Sequence, residues 1–224
     1  MEIGSSQTTK LEPFLLMAKS MKGAGAAKLV QDATSAPGVF VFAELLEMPN
    51  VVELSKNPQH APFYNLLELF AYRTYQDYLE HKDQLPPLNP AQIAKLKHLS
   101  IVSMASERRV IPYADLQTAL STPTIRDLED LIIDAIYLSL LTAHLDHSSH
   151  TLTIHSLSSR DVHPSSIPSL LYALEDWART TGMVVGALEE KIAEMGEGER
   201  RERERKEGRE QGVRGIVREL MDKK

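Results

Sequence analysis

A mainly α fold is expected from three observations. Apolar residues recur at helical spacing through the first half. A helix–strand–helix–helix–hairpin order runs from residue 89 to 157. A last apolar stripe advances in steps of three and four residues from Ile167 to Ile192. Together they predict a helical-repeat (TPR-like) half over 1–88, a winged-helix unit over 89–162, a long helix over 163–195 and a charged, flexible tail over 196–224.

In the first half, Pro13 is placed in the opening turn of a helix running through FLLMAKSMKGAGAAKLVQDAT, a position where its missing donor costs nothing. The two glycines and alanines of KGAGAAK are read as small residues that let helices approach closely. A phosphate cradle normally follows a strand, and here the surroundings are helical. SAPG at 35–38 breaks the segment. VFVFAELLEM comes next, and Pro49 ends or kinks it. Over 62–81, Leu66, Leu67, Leu69, Phe70 and Tyr78 predict one helix with a broad buried face. Short antiparallel helices of this kind stack as a right-handed solenoid, although the lengths follow no strict period.

QLPPLNP at 84–90 marks the boundary. Asn89 caps the next helix, Pro90 takes its first position, and Gln92 stands where a capping-box partner belongs. That helix runs to about Glu107, followed by an extended RRVIPY and a helix in ADLQTAL. Thr124 caps a third helix with Asp127 three residues on, and its apolar stripe is Ile125, Leu128, Leu131, Ile132, Ala135 and Ile136. LTAHLD and TLTIHSL are β-prone runs around a polar HSSH turn. This is the element order of a winged helix, whose third helix enters the major groove in DNA-binding examples.

Pro164 opens the last helix. Ile167, Leu170, Leu174, Trp177, Val184, Leu188 and Ile192 approach a heptad seam, weakened locally by Gly182 and Gly186. From Gly196 the composition becomes alternating in charge and is read as solvated linker. A short stripe of Val213, Ile216, Val217, Leu220 and Met221 then suggests a helix that forms on docking.

Composition narrows the function classes. The net charge of −6 is unevenly spread: residues 196–224 hold ten Lys/Arg against eight Asp/Glu, so the acidic excess lies in the body. The third winged-helix segment, 124–140, carries Asp127, Glu129, Asp130 and Asp134 against Arg126 alone, a poor surface for phosphates. A nucleic-acid adaptor is therefore the second reading and a protein-pairing winged helix the first. There is no cysteine, so disulfides and thiolate chemistry are excluded. MEIGSSQTTKLEP lacks the layout of a signal peptide, so an intracellular chain is expected. The richest apolar stretch, LIIDAIYLSLLTAHL, is short and carries Asp134, so no membrane span is expected. His144, His147, His150 and His155 cluster, but on a hairpin a spacing of three alternates faces, and no water-activating acid stands at a motif distance. A metal-dependent hydrolase is thus the third reading. No GxSxG, HExxH or Walker-type loop occurs. No catalytic residue, cofactor or metal is expected.

FLLMAKSMKGAGAAKL, APGVFVFAELLEMPNV, LFAYRTYQDYL, LPPLNPAQIAKLKHLSIV, VIPYADL and IRDLEDLIIDAIY resemble, in order, the subunit-seven family of the COP-nine signalosome. The resemblance covers about 12–140 and continues less closely to about 195. Family members are PCI-domain proteins, with a helical-repeat half followed by a winged helix. The resemblance implies a noncatalytic scaffold in a nuclear and cytoplasmic complex that removes a ubiquitin-like modifier from cullins, the chemistry belonging to a different, zinc-bearing subunit. It also implies that PCI winged helices line up edge to edge and that C-terminal helices gather into a bundle. On the first count the partner-binding residues expected here are Leu141, Leu145, Thr151 and Ile154, on the two hairpin strands. On the second they are Leu174, Trp177, Val184, Leu188 and Ile192, with the terminal stripe Val213, Ile216, Val217 and Leu220 docking on a further subunit.

Overall fold

The computed structural model describes the backbone of residues 3–222 and the side chains of residues 10–209. It divides into two compact units, Met1–His163 and Pro164–Lys224. The first unit begins with α1 (Ile3–Ser20), α2 (Ala24–Ser35), α3 (Ala43–Leu46), α4 (Pro49–Lys56), α5 (Ala61–Tyr72) and α6 (Tyr75–Glu80). It continues with α7 (Pro90–Glu107), β1 (Val110–Pro112), α8 (Tyr113–Leu120), α9 (Ile125–Tyr137), β2 (Leu141–Asp146) and β3 (Thr151–Leu157). The second holds a 3-10 turn at Pro164–Ser166 and α10 (Ile167–Asp222).

Helices in the first half are shorter than the sequence rules suggest. Pro13 lies inside α1 rather than at its start, and the chain breaks at Gly23, whose φ of 55° belongs to the left-handed region that glycine tolerates. Ala26 and Ala27 beyond it are buried, as the small-residue reading requires. The segment before Pro49 ends as expected, α3 stopping at Leu46 with Met48 extended, and Pro49 then opens α4 as its first residue. The single helix expected over 62–81 is two, because the Asp77 carboxylate accepts from the Thr74 N–H at 2.7 Å and from its hydroxyl at 2.8 Å, starting α6 afresh. Leu66, Leu67, Leu69, Phe70 and Tyr78 are nevertheless all buried.

From residue 89 the elements fall where local chemistry puts them. Asn89 and Gln92 form the capping box of α7, Gln92 accepting from the Asn89 N–H at 2.9 Å. Thr124 Oγ1 caps α9 by accepting from the Asp127 N–H at 3.1 Å. The hairpin β2–β3 is joined by β1 in a sheet of order β1-β3-β2. Val110 pairs with Thr153 on one side of β3, and Leu145 with Leu152 on the other. One continuous core runs from Leu11 through Phe42, Phe70 and Leu99 to Ile132 and Ile154, so the helical half and the winged helix are parts of one body.

The last helix does not stop at 195. It continues to Asp222, where a flexible tail over 196–224 was expected. Apart from its glycines, the segment that read as linker is made of the strong helix formers Glu, Arg, Lys and Gln, and Glu197–Arg201 (3.3 Å), Glu199–Arg203 (3.8 Å) and Glu202–Lys206 (3.9 Å) pair across one turn in the favourable acid-before-base order.

Candidate interaction surfaces

In the sheet, β3 is central and β2 is an edge. Contacts through both hairpin strands were expected, but β3 is paired on both sides from Thr151 to Ile154, so over that stretch only β2 has an open side. Leu141 and Ile154 are buried in the core at 3% and 5% exposure, so they hold the edge in place rather than meet a partner. Leu145 and Thr151 are partly buried. The outward side chains of β2 are Thr142 and His144, and a register shift between Thr142 and Ala143 twists the strand locally.

The wing turn is tied down from several directions. Asp146 accepts from the N–H and hydroxyl of Ser148 (2.9 and 2.7 Å) and from the Ser149 N–H (3.2 Å), which pushes its carboxyl well below the usual range. His147 Nδ1 lies 3.0 Å from Glu129 Oε1 on α9, holding that carboxyl low, and His150, at φ 50°, accepts at its carbonyl from the Tyr113 N–H at 2.9 Å. The histidines thus build a turn. His144 and His155 sit on adjacent strands as exposed side chains, and among the described residues no group of three or more His, Asp or Glu is placed to hold a metal ion. A groove between α6, α7 and α8, bordered by Thr74, Met104 and Thr118, holds the exposed pair Arg108–Asp115 at 3.6 Å, and the Thr74 hydroxyl there is tied to Asp77 as the cap of α6.

On α10, Leu174, Trp177, Val184, Leu188 and Ile192 are all exposed, from 52% to 69%. With Ile167 and Leu170 they follow one seam at three- and four-residue steps, broken once by the seven-residue step from Trp177 to Val184, where Thr181 stands. Val213, Ile216, Val217 and Leu220 lie on the backbone of the same helix, but their side chains fall outside the described residues.

A third set of residues was not anticipated. Ends of the short helices in the first half are capped by polar side chains from elsewhere in the fold. Asn50 donates to Ala18 O (2.8 Å) and Lys19 O (3.0 Å) at the end of α1. Lys95 of α7 donates to Ala33 O (3.4 Å) and Ala36 O (2.6 Å) at the end of α2, with its ammonium 5.6 Å from the Phe42 ring centre. Burial pushes that lysine down to about 7. After β3, Arg160 spreads its guanidinium over Phe70 O (3.3 Å) and Arg73 O at the end of α5 and over Leu99 O (3.5 Å) and Ser103 Oγ of α7. Asp161 accepts from the Phe42 and Ala43 N–H groups at 2.5 and 3.1 Å, at the start of α3. Cations at helix C-termini and an anion at an N-terminus match the helix dipole. No spacing rule connects residues 31 to 119 apart in the chain, so nothing local in the sequence signals these contacts.

A helical-repeat body fused through a shared core to a winged helix, with exposed edge and seam, defines a PCI-type assembly module. The PCI domain profile matches residues 72–156, and that of the CSN7 helical bundle subdomain matches 12–43. COP9 signalosome complex subunit 7a of Mus musculus is 42% identical over 81% of this chain and 66% of its own length. The subunit 7 proteins of Dictyostelium discoideum (42%, over 76% of this chain and 66% of its own) and Drosophila melanogaster (37%, over 85% and 68%) are similar. The chain belongs to the COP9 signalosome subunit 7 family. It spans about two thirds of the length of these relatives. No helix among the described residues is long and apolar enough to cross a membrane.

Proposed function

We propose that the chain is a noncatalytic scaffold subunit of a nuclear and cytoplasmic signalosome complex that removes a ubiquitin-like modifier from cullins. It joins other PCI subunits through the β2 edge and further subunits through α10. The observation that carries this reading is the α10 seam, where large apolar side chains from Leu174 to Ile192 stand in water. Each forfeits roughly 1.5–3 kcal/mol relative to burial, so the seam is built for partner helices. The apolar residues spread beyond a strict two-per-heptad line, with Leu171 and Val185 also exposed, which suits a bundle of several helices rather than a two-stranded coil.

Two substitutions test it. Leu188→Asp with Ile192→Asp should abolish co-purification with the remaining subunits while leaving the melting temperature of the isolated chain within about 2 °C, since both residues are exposed. A large loss of stability in the isolated chain would make the seam core instead. For the sheet edge, proline is placed singly at His144 and at Leu145. Successive amides along a strand point to opposite sides, so one variant spares the β3 ladder and should still weaken assembly with the neighbouring PCI subunit. If that folded variant assembles normally, β2 is not the docking edge.

A further inference from the structure

The outer face of α9 is unlike that of a nucleic-acid reader and unlike an inert solvent face. Tyr137 is 84% exposed, the most exposed large apolar side chain among the described residues, and Ile133, one turn before it, is 40% exposed. The pair forms a short apolar ridge on the side opposite the buried Leu128, Ile132 and Ala135. Along the same face run Asp127, Asp130 and Asp134, all exposed, with Arg126, one turn before Asp130, the one basic residue of the helix. Among the described residues none of the three forms an ion pair. Lys97 lies in the field of Asp127, but its ammonium stands 4.9 Å from the Tyr75 ring centre.

This placement leaves local costs standing. Asp130 and Asp134 are like charges four residues apart, and Asp134 sits in the last turn, where the helix dipole favours a cation and no basic residue is present. An exposed Tyr beside Ile, bordered by three carboxylates against the single Arg126, with two of them toward the negative end of the helix, is complementary to an apolar side chain flanked by ammonium or guanidinium groups.

We propose that the outer face of α9 is a docking surface for a basic amphipathic segment of a partner protein. An apolar side chain of that segment packs against Tyr137 and Ile133, and its Lys or Arg residues meet Asp130 and Asp134. None of the residues assigned to the β2 edge or to the α10 seam takes part.

The test uses the full chain and a fluorescently labelled amphipathic helical peptide of Leu, Ala and Lys, with the same peptide carrying Glu for Lys as control, read by anisotropy. The lysine peptide should bind and the glutamate peptide should not. Tyr137→Ala should weaken binding by at least about tenfold, as expected for an aromatic anchor. Asp130→Asn with Asp134→Asn should weaken it and flatten its salt dependence. Asp130→Lys with Asp134→Lys should reverse the preference, so that the glutamate peptide binds. All these positions are exposed, so circular dichroism should be unchanged in each variant. Equal affinity of the wild type and Tyr137→Ala, or no reversal in the lysine variant, would overturn the proposal by showing only general attraction to an acidic body. Two other occupants would also overturn it: self-association lost in Tyr137→Ala would mean a second copy, and Tyr137-dependent binding of duplex DNA would mean a nucleic-acid reader.

Discussion

Arg160→Ala should be among the most damaging single substitutions outside the apolar core. The guanidinium is set between two helices and donates to three carbonyls and one hydroxyl. Its removal is not equally costly at each. Leu99 O lies in the middle of α7, where it keeps the usual intrahelical bond, and Ser103 Oγ is free to turn. Arg73 O lies at an exposed end and gains water. Phe70 O loses most, because the backbone amide that would reach it, Thr74 N, is already committed to Asp77. A stranded buried carbonyl costs about 1–3 kcal/mol, and a charge-assisted bond about 1.5–3 kcal/mol. Part is returned because the guanidinium no longer has to be desolvated. The expected net loss is about 2–4 kcal/mol, a large share of the roughly 5–15 kcal/mol available to a domain. Urea unfolding of the full chain measures it, and Arg160→Lys should lose about half as much by keeping the charge without the fork. Hydrogen exchange should quicken at Phe42 and Ala43, the amides held by the next residue, Asp161. A loss under about 0.5 kcal/mol, the range of ordinary surface changes, would refute the view that this strap joins the helices.

Lys95 sets a pH dependence. Its folded value, about 7, lies below the ordinary 10.5, so the unfolded chain binds more protons between those limits and stability must rise with pH across that window. The stability difference between the wild type and Lys95→Met, taken from urea midpoints at several pH values, should climb by up to ~5 kcal/mol from below pH 7 to above 10; a flat difference would deny that the buried amine titrates. Asn50→Ala should cost about 1–2 kcal/mol through the two uncapped carbonyls of α1, read by thermal unfolding, and no loss would mean water replaces it. Changing His144, His147 and His150 together to alanine should leave the deconjugating activity of a reconstituted complex intact; loss of activity from a fully assembled complex would point to chemistry in the wing.

Local chemistry was legible and distant chemistry was not. Asn89 with Gln92, Thr124 with Asp127 and the HSSH turn carry their partners within a few residues, and each element they begin or end stands where the sequence put it. Thr74 with Asp77 carried the same signal, but the apolar spacing continues through Tyr78 and masks the break. The order of strands in the sheet was invisible because β1 is only three residues long, and it is β1 that makes β3 central. Of the expected contact residues, Leu174, Trp177, Val184, Leu188 and Ile192 are exposed on α10. Leu141 and Ile154 are core, since alternation along a strand does not say which face meets a partner.

The strap also governs the order in which this protein can be completed as it is made. Asp161 follows its bonding partners Phe42 and Ala43 by 119 and 118 residues, and Arg160 follows Arg73 by 87. A chain emerging from the ribosome therefore exposes the whole helical half long before the residues that finish its helix ends arrive. Contacts of such separation are closed late, against a loop entropy that grows with the logarithm of length. The apolar seam of α10 begins only at Ile167, six residues after Asp161. Synthesis thus delivers the closing residues first and the sticky helix afterwards, and the nascent body has the means to shut before its most aggregation-prone surface leaves the tunnel.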